Sequence, residues 1–473
     1  MFPPFPLLRR LPRWALSLCL CAGVSTAKLA AQRSEPEAVR ALSGGLLEFL
    51  DGSVLHGSMA SIDPASGLQW GHEASARPLR FKSKQLSSIQ FNTASTPPPE
   101  ARPTARFYFR NGDEVLGNLE SMTDKEVLVT SMFGGTLHSS RSGLGAVLLS
   151  SKGYRLLYEG PGGTEGWRTG RNPKSWQLKD LGFEAQAADL LGRDFGLKGS
   201  SVIEFDLAWS GTFSMSITLY AQVIDRFDYS TSAYVMYLGS AAISLQRVQA
   251  GAGASLLGQV QLPDFIRNRK ARIEIRCNRE EGTITLVIDG NVVQRWRDNA
   301  GWVANGSGIV FFSQVEPRGL RISNIRVAEW DGRFDAEMLS TAPKEMDVLL
   351  LANRDKVFGR IEKIEEGKIF VESRQTKLTV PIQRVNYIRF REDEPVPQPQ
   401  LAPWLVRASF PGGEGISFQL SKWEGGVVTG KSPLFGDVTF GAGSVRSLRF
   451  NLDQPHPASA DGAGLDEFFP GFE

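Results

Sequence analysis

Apolar and polar residues alternate without a break along Val202-Ile203-Glu204-Phe205-Asp206-Leu207-Ala208-Trp209. The same period of two runs through Met215-Ser216-Ile217-Thr218-Leu219-Tyr220, Arg272-Ile273-Glu274-Ile275-Arg276-Cys277 and Thr283-Ile284-Thr285-Leu286-Val287-Ile288. Such alternation puts one set of side chains on each face of an extended strand, so each segment reads as a strand with one packed face. Asp289-Gly290-Asn291, directly after the last, supplies the residues with positive φ that a tight hairpin needs. Many such strands within residues 156–334 predict a sandwich of two packed sheets.

A second pattern recurs four times outside that segment, at residues 43–92, 105–152, 344–392 and 405–452. Each copy has a short apolar strand, a tight turn, a longer strand, further short strands and an apolar ending. The turns are Asp51-Gly52-Ser53, Asn111-Gly112-Asp113, Asn353-Arg354-Asp355 and Gly412-Gly413-Glu414. Gly57, Gly117 and Gly359 follow four residues later, and the fourth copy has Phe418 there instead. The endings include Ser88-Ile89-Gln90-Phe91 and Tyr387-Ile388-Arg389-Phe390. Spacing between anchors is 60 residues in the first pair and 59 in the second.

Pro-rich joints at 93–104 and 393–404 separate the members of each pair, because proline interrupts a sheet ladder and stiffens a linker. The expected class is therefore all-β: a central two-sheet jelly-roll sandwich with two small β-barrel-like repeats on each side. Phe107-Tyr108-Phe109-Arg110-Asn111-Gly112-Asp113-Glu114-Val115-Leu116-Gly117 resembles the opening strands of Sm-like and SH3-like small barrels. The Sm family's RNA site needs an Asp-x-Met-Asn segment and a later Arg-Gly, and no copy has both. No nucleic-acid partner is expected.

The N-terminus changes the charge picture. Residues 1–27 read as a secretory signal, with Arg9, Arg10 and Arg13 before the apolar stretch Trp14–Val24 and small residues at Ser25-Thr26-Ala27. That stretch is too short for a bilayer core, which takes about 20 apolar residues. Residues 28–42 read as a linker, and no membrane span is expected after signal cleavage. Loss of the signal leaves 50 basic against 51 acidic residues, which removes the basic excess of the precursor. It also removes Cys19 and Cys21, so Cys277 remains alone and no internal disulfide is available. The expected location is exported: periplasm, cell surface or secreted.

The central segment carries a second resemblance, on Gly166-Trp167, Ser175-Trp176-Gln177-Leu178, Ile203–Trp209, Ile284–Val293, Gly308-Ile309-Val310-Phe311-Phe312 and Leu320–Val327. It looks like a concanavalin-like, laminin-G-like jelly roll and, within that group, like the family named for 3-keto-disaccharide hydrolases. The resemblance implies a carbohydrate-related role. That family's typical Asn-Ser-Gly strand is replaced here by Tyr220-Ala221-Gln222-Val223, so no catalytic set carries over.

Glu204-Phe205-Asp206 is the sharpest enzymatic signal, since alternation puts both carboxylates on one face. Retaining jelly-roll glycosidases need a third carboxylate on that face, and Ala208 stands there. A binding face is better supported: Glu204, Asp206, Thr218, Tyr220, Arg272, Glu274 and Arg276 are expected to point outward, with Tyr220, Tyr234, Tyr237 and Trp302 as stacking platforms for a sugar. Trp167, Trp176, Trp209 and Trp330 are expected in core or rim packing. His56, His72, His138 and His456 lack ligand spacing, and no cofactor is expected; Asp225, Asp228 and Asp289 are the nearest approach to a calcium rim. Residues 453–473 end in an acidic–aromatic tail.

These features fit an exported, non-enzymatic binding or scaffold protein whose jelly roll contacts a carbohydrate or cell-envelope protein. The alternatives are a hydrolase of (3-keto-)glycosides and a structural spacer whose small barrels bind protein.

Overall fold

A computed structural model describes residues 44–454 apart from 93–101, 151, 227, 229, 240, 264, 315–318, 333–343, 375 and 393–402. The segments expected to be a secretory signal and its linker, most of both Pro-rich joints and nearly all of the tail lie outside the described residues. Among those described, every regular element is a strand or a short 3-10 turn. The chain is all-β, built of antiparallel sheets.

Each sequence copy holds five strands. They are Gly45–Phe49, Val54–Asp63, Gly67–Gly71, Leu79–Phe81 and Leu86–Phe91 in the first, and Ala105–Phe109, Glu114–Met122, Glu126–Ser131, Gly135–Ser140 and Leu144–Leu149 in the second. The third has Asp347–Leu351, Lys356–Glu365, Lys368–Ser373, Thr376–Pro381 and Val385–Arg389; the fourth has Leu405–Phe410, Glu414–Glu424, Val427–Ser432, Gly436–Gly441 and Ser447–Arg449. In every copy the first strand pairs with both the second and the fifth, so the small sheet bends back on itself.

The recurring residues have local causes. Asp51, Asn111 and Asn353 each accept a hydrogen bond from the amide two residues on, at 2.9, 3.0 and 3.2 Å, which closes the first hairpin. Gly117 lies against the neighbouring strand, where an added Cβ would stand 2.5 Å from the Thr130 carbonyl oxygen. The fourth copy meets the same crowding the other way round. Phe418 occupies the glycine position, and Gly430 on the facing strand makes room; a Cβ there would lie 2.4 Å from the Phe418 ring.

The four copies share one hydrophobic core and pair in nested order. Ile89 of the first faces Leu448 of the fourth, and Val147 of the second faces Ile388 of the third. The apolar endings seen in the sequence are thus the seams between copies. Glu114 of the second also bridges to Gly415 of the fourth. Rings cross the same boundaries, with Phe91 5.0 Å from Trp423 and Phe109 4.9 Å from Phe435. Together the copies make a platform in the spatial order first, fourth, second, third.

The sandwich is inserted between the second and third copies. Its proximal sheet runs Trp176–Lys179, Gly182–Ala185, Arg321–Glu329, Ser201–Ala208, Lys270–Asn278, Thr283–Ile288, Asn291–Arg297, with Arg155–Gly160 also paired to Arg321–Glu329. The distal sheet runs Trp167–Thr169, Leu190–Asp194, Gly308–Ser313, Ser214–Ala221, Ala233–Gly239, Ala242–Gln249, Gly253–Gln261. Trp167, Trp176 and Trp209 are buried, and Cys277 is enclosed among the same core side chains. The first and last strands of the sandwich pair with each other, Arg155 facing Glu329. The chain therefore leaves the insertion beside the point where it began, and the third copy can pair with the second.

Candidate functional site

The outward face of the central strands of the proximal sheet forms one wall of a cleft whose other wall is the platform. Cross-strand register arranges this wall in rows. Leu156, Ala328, Val202 and Arg276 form the first, and Glu159, Arg326, Glu204 and Glu274 the second. Ser323, Asp206 and Arg272 form the third, and Arg321, Ala208 and Lys270 the fourth.

Glu204 lies directly opposite Glu274, an unfavourable like-charge pairing that diagonal arginines offset. Arg272 donates to Glu204 Oε2 at 2.8 Å and to Asp206 Oδ1 at 2.9 Å. Arg326 Nε donates to Glu204 Oε1 at 3.1 Å and its terminal nitrogen to Oε2, so the contact is two-pronged. Asn324 donates to Asp206 Oδ2 at 2.6 Å, and Arg276 pairs with Glu274. Burial pushes the Glu204 carboxyl up, but the Arg326 and Arg272 guanidiniums outweigh it and hold it well below the usual carboxylate range.

The platform wall is tied to the sandwich at the turn of the fourth copy. Glu159 accepts from the Gly412 amide at 3.0 Å and pairs with Arg446 at 3.4 Å. Arg106 of the second copy donates to the Gly412 carbonyl at 2.8 Å and to Glu114 at 3.0 Å. Gly413, at φ +83°, sits so close to Arg326 that any side chain there would displace the guanidinium. Next to it Glu414 is 2% exposed, with no side-chain donor at its carboxyl oxygens. Burial, reinforced by Glu114 and Glu159, pushes its pKa up to about 8 against the pull of the Leu116 amide and Arg106. The cleft encloses about 1000 Å³, with ten acidic and ten basic residues among those lining it.

The ten residues expected on one binding face separate into three groups. Glu204, Asp206, Arg272, Glu274 and Arg276 are together on the cleft wall. Thr218 and Tyr237 lie on the outer side of the distal sheet, away from it. Tyr220 and Tyr234 are buried inside the sandwich, and half-buried Trp302 packs on both, 5.1 Å from Tyr220 and 4.7 Å from Tyr234. The expectation of an exposed Tyr220 is thus corrected. A bulge between Leu219 and Ala221, with Tyr220 at φ +55°, breaks the alternation and turns the ring inward. Its hydroxyl meets Ser201 Oγ at 2.7 Å and the Gly199 carbonyl at 2.8 Å. Tyr234 is corrected likewise: it alternates inward with Met236 and Leu238, and its hydroxyl donates to Asp298 at 2.7 Å.

Asn324, Arg326, Arg106 and Glu414 are cleft residues that the sequence did not single out. Arg326 follows Ser323-Asn324, where a positive φ at Asn324 breaks the period of two and hides the outward position. Trp330, expected in packing, is half-buried on the cleft lining. Among the described residues no group of three His, Cys, Asp or Glu side chains is placed to hold a metal ion. Asp289 accepts from the Arg272 amide on the paired strand at 2.7 Å and Asp228 from the Ser230 amide in its own turn at 2.8 Å.

No family model matches the chain, and no curated protein sequence matches it. Among solved structures it is similar to a legume lectin-like domain from Entamoeba histolytica, at 8% identity and a TM-score of 0.30, over 37% of this chain and 97% of that one. It is similar to an endo-beta-1,3-glucanase from Pyrococcus furiosus at 11% identity and a TM-score of 0.30, over 37% and 94% of the two chains. A carbohydrate-binding module, CBM66 from Bacillus subtilis, is similar at 11% identity and a TM-score of 0.25, over 34% and 93%. The sandwich described above rests on the pairing of its own strands.

Proposed function

We propose that this chain is an exported, non-enzymatic binding protein that takes a hydroxyl-rich ligand of the carbohydrate class in the cleft between sandwich and platform. The observation that carries this reading is the enclosure of the Glu204–Arg326–Arg272–Asp206 network on the wall of a cleft of about 1000 Å³. Planar groups held rigid by one another present fixed donors and acceptors, and so lose little freedom when hydroxyls bind them. A concave site of this size suits a few linked sugar units better than a flat protein epitope, which buries roughly 800 Å² per partner.

The hydrolase alternative gains nothing from the Glu204 strand. Acid catalysis needs a carboxyl kept protonated near neutral pH. Glu204 is held in the opposite state, and Asp206 is engaged by Arg272 and Asn324.

Calorimetric titration of the mature chain with a set of oligosaccharides tests the reading. Binding that is lost in Arg326→Ala, with the circular dichroism unchanged, supports it. Binding that survives every cleft substitution but is lost in Tyr237→Ala places the ligand on the distal sheet and sinks it. Export is tested by fractionating cells that express the full chain, where retention in the cytoplasm overturns that part.

A further inference from the structure

The cleft lining changes character along its length. Leu156, Ala328 and Val202 form an aliphatic row, and Tyr154 and Trp330, next along the chain to the paired Arg155 and Glu329, both line the cleft. Tyr154 is held there by its hydroxyl, which donates to the Leu148 carbonyl of the second copy at 3.3 Å, and by the Arg106 guanidinium 5.8 Å from its ring. Tyr108 of the second copy lines the same cleft. Two rows away, beyond Arg326 and Glu204, the wall is Ser323, Asp206 and Arg272, with Asn324 bonded to Asp206. One end thus offers aromatic and aliphatic surface, and the other offers oriented hydrogen-bonding groups.

The charges in between are balanced and mutually engaged. Glu204 is held by two arginines, Asp206 by Arg272, Glu274 by Arg276 and Glu114 by Arg106. An ionic ligand seated among these residues would have to break one of the half-buried pairs and leave its partner uncompensated, at a heavy penalty. A neutral ligand breaks none. Its hydroxyls can bond to lone pairs and N–H groups that the pairs leave over, while an apolar sugar face lies on the aromatic rings.

We infer that the cleft selects uncharged oligosaccharides, stacking one sugar at the Tyr154–Trp330 end and reading hydroxyls along the Glu204–Asp206 rows. This rests on the binding reading above and narrows it to a charge class and a direction along the cleft.

The test compares immobilised oligosaccharides of matched length: neutral hexose and N-acetylhexosamine oligomers, uronate oligomers and free-amine hexosamine oligomers. Neutral oligomers are expected to bind at least tenfold more tightly than either charged set. Trp330→Ala is expected to cost tenfold or more in affinity. Ala328→Trp, which removes no contact and fills the aliphatic row, guards against misfolding as the explanation and is expected to abolish binding. Arg326→Met leaves Glu204 short of a partner and is expected to shift preference towards the amine-bearing oligomers. Tighter binding of a charged set by the natural chain overturns the charge class while leaving the cleft reading intact. If no oligosaccharide binds at all, both fall.

Discussion

Arg141 of the second copy lies 2.9 Å from Asp347 of the third, with the carboxylate fully enclosed and the guanidinium nearly so. Asp347 also accepts the amides of Ile361 at 2.7 Å and Arg391 at 2.9 Å, while Arg141 reaches the Ile361 carbonyl at 2.6 Å. The pair bolts the inner seam of the platform across the inserted sandwich. Removing Arg141 leaves the buried carboxylate with the more distant Arg391, at 3.6 Å, so the cost falls toward the lower end of the about 3–5 kcal/mol for breaking a buried pair. Arg141→Ala is therefore expected to lower the urea midpoint of the platform strongly. A midpoint within error of the natural chain would show that the seam does not depend on this pair.

Much of the fold was legible because the sandwich strands obey a strict period of two: Ile203, Phe205 and Leu207 point inward and Glu204 and Asp206 outward, as the alternation requires. The four endings were legible as strands, but their nesting was not. Ile89, Val147, Ile388 and Leu448 are chemically alike, and which of them meet is decided by where the insertion returns the chain. Half of the site was legible for the same reason as its strands. Tyr220 and Arg326 were misplaced or missed because bulges interrupt the alternation beside them, and a bulge has no reliable signature in a single sequence. Glu414 was hidden inside a Gly-rich turn whose burial depends on residues some 300 positions away.

Tyr220 separates stability from binding. Its hydroxyl is shared between Ser201 and the Gly199 carbonyl in the sandwich interior. Tyr220→Phe strands those two groups, a loss of about 1–3 kcal/mol. Oligosaccharide affinity is expected to stay unchanged, because the ring does not line the cleft. Thermal unfolding and titration of the same preparation check both halves, and a weakened affinity at unchanged stability would contradict the inward placement.

Gly413 sets how closely the platform approaches Arg326. An added Cβ would fall 1.7 Å from the guanidinium nitrogen, and the backbone is at φ +83°. Gly413→Ala is expected to cost about 1–2 kcal/mol from the left-handed backbone alone. It also pushes Arg326 off Glu204, which should appear as a displaced Arg326 side-chain Nε–H resonance. An unmoved resonance would mean that the turn does not press on the network.

Glu414 makes the junction of platform and sandwich sensitive to alkali. Its carboxyl faces Arg106 and Glu114 of the second copy and Glu159 of the first sandwich strand, and burial pushes its pKa from the ordinary 4.5 to about 8. The folded chain therefore holds this proton more tightly than the unfolded chain does. The resulting stability is fully present below pH 4.5 and is lost as the pH rises through about 8, where a buried carboxylate with no ion pair of its own must form. Glu414→Gln keeps the shape and removes the titration. At pH 5 the two proteins are expected to melt at similar temperatures, and above pH 8 the variant is expected to melt higher. Melting curves taken from pH 5 to pH 9.5 decide it: a constant difference between the two across that range would mean that Glu414 does not bind the proton its surroundings call for.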